Sequence, residues 1–102
     1  MYTYRLTPSA IQDLRETGDY IAEQLHAPES AVKLLDEIEA AIAAACAFPL
    51  SLPGINDPLL RRKGYRKIIV KNYIAFVLPD QEHEILNVMR VLSFARDYMK
   101  GL

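Results

Sequence analysis

The sequence predicts an α+β domain in which an N-terminal helical hairpin packs on a small, mainly antiparallel sheet, in the order β-α-α-β-β-β. Three observations carry that expectation. Apolar residues recur at steps of three and four from residue 8 to residue 47. Short β-branched and aromatic runs replace them after residue 64. A proline-rich stretch with no period separates the two regimes. The 102 residues suffice for one domain, spanning 1–102, with a modest core.

The first strand is read over residues 2–6 (YTYRL), where aromatic and β-branched side chains alternate with others. Thr7 followed by Pro8 is an N-cap with proline at the first helical position. Ile11, Leu14, Gly18, Ile21 and Leu25 then form one helix face, with Asp13, Arg15, Glu16, Asp19 and Glu23 on the other. Gly18 costs that helix about 1 kcal/mol relative to alanine, so it marks a close approach by a neighbouring element. Pro28 ends this helix near Leu25 and His26 and opens the second. Its stripe is Val32, Leu35, Ile38, Ile42 and Cys46, with Asp36, Glu37 and Glu39 in solvent and an alanine-rich end that permits close packing. Phe48 and Pro49 stop it.

Residues 49–63 (PLSLPGINDPLLRRK) read as a loop. Strands follow at Tyr65–Val70, Tyr73–Leu78 and Ile85–Leu92. Lys71 and Asn72 make a tight hairpin turn between the first two, and residues 79–83 a longer one before the third. Ile85–Leu92 is apolar at nearly every position except Asn87 and Arg90, as expected of a strand buried on both faces. After Ser93 the chain is read as one short helical turn or a loose tail.

Charge divides along the same boundary. Residues 1–60 carry three bases against nine acids, a net of −6. Residues 61–102 carry nine bases (Arg61, Arg62, Lys63, Arg66, Lys67, Lys71, Arg90, Arg96, Lys100) against four acids, a net of +5. The overall −1 therefore conceals an acidic helical half joined to a basic sheet, which suits phosphate or an acidic protein partner. The opening MYTYRL has no apolar core behind a basic start, and no apolar run approaches the roughly 20 residues of a membrane span. With one cysteine, Cys46, inside an apolar stripe, a cytoplasmic protein with no membrane partner is expected. No Walker, dinucleotide or nucleophile-elbow motif occurs. His26 and His83 lie on different elements without a second ligand at metal spacing, so neither a metal nor a cofactor is expected.

What remains is the basic set with its tyrosines. On the first strand after the loop, Lys67 and Ile69 share a face with Tyr65, while Arg66 points the other way with Ile68 and Val70. Arg90 sits among Val88, Met89, Val91 and Leu92, so its charge must reach solvent, a carboxylate or a ligand. Arginine offers forked contacts to oxyanions, lysine a mobile charge, and tyrosine a stacking face. Cleaving RNA through its 2′-hydroxyl would further need a base, a cation at the crowded phosphate and an acid for the leaving oxygen. The residue types permit that chemistry without showing it.

At these residues the chain resembles the RelE/ParE superfamily of bacterial type II toxins. The matching pieces are YRLTPSAIQDLRETGDYIAEQL, EAAIAAACAFPLSLPG, LRRKGYRKIIVKNYIAFVL and VMRVLSFARDY, in the right order over nearly the whole chain. The resemblance implies a small growth-arresting toxin neutralised by a cognate antitoxin, through an acidic, partly disordered C-terminal segment. Its target would be the ribosome and messenger RNA, cut as a RelE-like endonuclease, or alternatively DNA gyrase, inhibited without chemistry as by ParE. A third alternative is an attenuated toxin that only binds its antitoxin. Carried over by position, Arg66, Lys67, Arg90, Arg96 and Tyr98 become the candidate catalytic set. Arg61, Arg62, Lys63 and Lys71 become candidate contacts to nucleic acid or antitoxin. The chain departs from the nuclease pattern at Ile74, where many nuclease members place an arginine. Ser93 and Ala95 stand where many relatives have histidine and arginine.

Overall fold

The computed structural model describes residues 1–94. The chain runs β1 (Thr3–Leu6), α1 (Pro8–Asp19), α2 (Pro28–Ala45), α3 (Pro58–Arg62), β2 (Arg66–Val70), β3 (Tyr73–Asp80) and β4 (Ile85–Ser93). The four strands form one sheet in the order β1-β4-β3-β2, antiparallel except for β1, which lies parallel to β4. The expected α+β architecture, a helical hairpin on a mainly antiparallel sheet, is what the chain adopts.

Thr7 caps α1 as its sequence suggests: its Oγ1 accepts from the Ala10 amide at 3.1 Å, with Pro8 at the first helical position. The same hydroxyl donates to the Met89 carbonyl at 2.9 Å, pinning the helix start to β4. The far end of the helix differs from expectation. After Asp19 it widens into a π-helical turn, Tyr20–Gln24, in which Leu25 donates to Tyr20 at 3.2 Å, and His26 takes a left-handed φ of 51°. Gly18 marks the predicted crossing. A Cβ there would stand 3.1 Å from Leu35 Cδ1 on α2.

On α2 the expected stripe holds at Ile38, Ile42 and Cys46 and differs only over the first turns, where Ala31 and Leu34 are buried in place of Val32 and Leu35. Ala31, Leu34, Ile38 and Ile42 are buried, whereas Val32 is 60% exposed. Both helices cover one face of the sheet, where Ile38, Ile42 and Cys46 meet Ile68, Ala75, Val77, Leu86, Val88 and Val91. The opposite face has its own cluster of Ile55, Leu60, Tyr65, Ile74, Phe76 and Leu92. β4 is therefore central and buried from both sides, as its apolar run predicts.

Residues 49–63 are not the irregular loop that their prolines suggested. A 3₁₀ turn (Pro49–Ser51) leads into an extended piece, then into α3, and this segment supplies Ile55 and Leu60 to the second cluster. β3 also runs further than expected. Pro79 and Asp80 remain paired with Leu86 and Ile85, and the turn is confined to residues 81–84. Asp80 Oδ2 lies 2.8 Å from His83 Nδ1, a contact that holds the Asp80 carboxyl below its ordinary range.

Candidate functional site

Building the basic surface begins with α3. Asp57 is extended, and its Oδ1 accepts from the Leu60 amide at 3.0 Å, with Pro58 at the first helical position. One turn later the helix stops in a Schellman arrangement. The Gly64 amide donates to the Arg61 carbonyl at 3.0 Å and the Tyr65 amide to the Leu60 carbonyl at 3.1 Å. Gly64 has φ +95°, which only glycine adopts without strain. Leu60 and Tyr65, the apolar pair on either side of this stop, are both in the far-face cluster.

The extended piece before α3 lies along the outer edge of β2. The Lys67 amide donates to the Pro53 carbonyl at 3.0 Å, and Gly54 bridges Arg66 in antiparallel fashion. Two guanidinium groups are anchored by carbonyls of the same piece. Arg66 Nη1 donates to the Leu52 carbonyl at 2.8 Å, and Arg61 Nε to the Ile55 carbonyl at 3.2 Å. Between them is a cavity of about 300 Å³ lined by Gly54, Arg61, Gly64, Tyr65 and Arg66.

Charge pairing separates the candidate residues. Arg61, Arg62, Lys63, Arg66 and Lys67 make no ion pair with any described residue, and they follow one another along α3 and the start of β2. Lys71 stands apart. It occupies the β2–β3 turn at a φ of 52°, with its Nζ 3.2 Å from Glu37 Oε2 on α2. Five residues of strand put it roughly 16 Å from Arg66.

Arg90 has a different employment. Its Nε donates to Asp13 Oδ2 at 2.8 Å and its Nη2 to Asp13 Oδ1 at 2.9 Å, a forked pair that holds the guanidinium further above its ordinary range. Asp13 is only 4% exposed and also accepts from the Val91 amide at 2.9 Å. The backbone explains why. β1 ends opposite Val88, so the remainder of β4 has no strand on that side, and a bulge adds Met89 and shifts the register between Phe76 and Val77. A bulge re-aims the groups that follow it, and Asp13 satisfies the strand edge that β1 leaves bare. The polar α1 face assigned to Asp13 from the sequence is thus corrected: that side chain is buried. Arg96 and Tyr98 lie outside the described residues.

Ile74, at the departure from the nuclease pattern, is buried with Phe76 and Leu92. Cys46 is buried, donates to the Ile42 carbonyl at 3.6 Å, and has its thiol pushed up by burial, which suits a core residue. A second crevice of about 180 Å³ lies between β1 and the helices, lined by Tyr4, Leu14, Leu35 and Ile42 among others, and it contains no cation. Tyr4 donates across it to Glu39 Oε2 at 3.2 Å. No described helix is long and apolar enough to cross a membrane.

Sequence reading missed Asp13, Gly54 and Gly64. The Asp57-Pro58 cap and the glycine one turn later were legible signals for α3. Nothing local marks Asp13, since its partners lie 77 and 78 residues away.

A family model described as the ParE toxin of a type II toxin–antitoxin system, parDE, matches residues 4–98. No curated protein matches the sequence. Among solved structures, the fold is similar to the chromosomal ParDE toxin–antitoxin system from P. aeruginosa, with a TM-score of 0.74 and 18% identity, covering 91% of this chain and 96% of that one. It is also similar to the RelBE2 toxin–antitoxin complex from Mycobacterium tuberculosis, with a TM-score of 0.60 and 22% identity, covering 90% and 96%.

Proposed function

The chain belongs to the ParE toxin family of type II toxin–antitoxin systems, and we propose that it arrests growth by binding DNA gyrase through the basic residues of α3 and β2. A cognate antitoxin neutralises it by covering the same residues. The observation that carries this reading is the set of five cations without a carboxylate partner among the described residues, Arg61, Arg62, Lys63, Arg66 and Lys67. Unneutralised surface charge costs self-repulsion and is offset when a complementary partner arrives.

Messenger-RNA cleavage, which the sequence put first, becomes the second reading. Its support is the same density of Arg and Lys. Against it, Arg90 is committed to Asp13 and Ile74 to the far-face cluster. With no histidine on α3 or β2, Lys67 would have to act as base or acid beside the charge stabilisation that the arginines supply. Purified toxin in excess is expected to block supercoiling by gyrase and to leave transcripts whole in a translating extract. Normal supercoiling with cuts at translated codons would reverse the order. Harmless expression without antitoxin would leave only a binding protein.

A further inference from the structure

We propose that the Arg61–Arg66 cavity receives one carboxylate side chain of an acidic, partly apolar peptide, and so anchors the neutralising partner. The inference rests on the antitoxin reading above and adds the atom-level receptor to it. Both guanidinium groups are held in place by backbone: Arg66 by the Leu52 carbonyl and Arg61 by the Ile55 carbonyl. Each anchor uses one N–H of a group that has five, so the rest of each planar fork is left for a ligand. Fixing the forks beforehand removes the entropy that a mobile side chain would lose on binding. Gly54 and Gly64 line the same cavity, and the Arg61 side chain lies against Gly54, where a Cβ would stand 3.7 Å from its Nε.

Two observations favour a peptide carboxylate over the phosphates of a nucleic acid. The two elements that carry the arginines also expose apolar side chains, Leu59 on α3 at 57% and Ile69 on β2 at 54%, which suits alternating acidic and apolar side chains. The first 60 residues carry nine acids against three bases, which repels a polyanion running beyond the cavity.

The test is a titration of the full chain, read on the arginine Nε–H resonances assigned with single variants. The probes are a short peptide of alternating Leu and Glu, its Leu-Gln counterpart, inorganic phosphate and a short RNA oligonucleotide. The Leu-Glu peptide is expected to shift Arg61 and Arg66, and the Leu-Gln peptide to leave them unmoved. Arg61→Gln with Arg66→Gln is expected to weaken peptide binding by about tenfold or more, the loss of charge-assisted forked contacts. Arg61→Lys with Arg66→Lys keeps the charge and protects against loss of fold, checked by a thermal melt, and is expected to bind measurably more weakly than the wild type. Unshifted arginines at saturating peptide, lysine variants that bind as wild type, or RNA and phosphate binding that the peptide cannot displace would each overturn the proposal. The titration reads neither gyrase nor growth. Its failure therefore leaves the gyrase reading standing, and failed gyrase inhibition leaves the titration's result intact.

Discussion

Asp13 connects three parts of the molecule with one carboxylate: α1 on which it sits, the Arg90 guanidinium and the Val91 amide of β4. A buried charge is tolerated only when paired and hydrogen-bonded, and here all three contacts meet that condition. Removing the carboxylate leaves a part-buried guanidinium and a buried amide without partners. Asp13→Ala is expected to cost about 3 kcal/mol, on the order of 10–20 °C in Tm for a chain of this size, measured by thermal melt. A melt within a few degrees of wild type would mean that the network holds little. Pairing Asp13→Ala with Arg90→Met should recover part of the loss, because an apolar replacement removes the stranded charge. The sequence showed that Arg90 needed an outlet for its charge. It did not show which acid, because on a helix wheel Asp13 looks like its exposed neighbours Glu16 and Asp19.

At the scale of elements, turns and edges decide where function sits. α3 is only five residues long and owes its existence to Asp57 at one end and Gly64 at the other. The Schellman stop turns the chain from Arg61 to Arg66 within five residues, and so places both guanidinium groups around one cavity. Gly64→Ala forces an L side chain into φ +95° and is expected to destabilise by about 1–2 kcal/mol. It should also weaken binding to gyrase or antitoxin at temperatures where the protein is still folded, measured by calorimetry. Unchanged affinity would show that the cavity tolerates a shifted α3. The strands, the α1 cap and the Gly18 crossing were legible because each depends on neighbours within a few residues. The start of α2 was not: Ala31 and Leu34 are buried there in place of Val32 and Leu35, and since both members of each pair are apolar the stripe alone does not choose between them.

Over the whole molecule, polarity is the organising property: nine acids against three bases in the first 60 residues, and nine bases against four acids in the rest. Two tertiary contacts spend part of it, Lys71 on Glu37 and Arg90 on Asp13, and the other five bases among the described residues of that half follow one another along α3 and the start of β2. Association with an acidic partner should therefore slow as salt rises, since exposed charges beyond about 8 Å are screened at physiological ionic strength. Stopped-flow association rates at low and high salt check this, and a flat dependence would mean that apolar contacts dominate the encounter. By itself the sequence determined the α+β class, the element order and the superfamily, because periodicity, caps and ordered motifs are local properties of the chain. Only the tertiary structure decided which bases are spent and which are available. Burial and ion pairing are relations between residues far apart in sequence, and the parallel pairing of β1 with β4 brings α1 and its Asp13 to Arg90. The physical reason is that a charge is placed by the chain but neutralised by the fold.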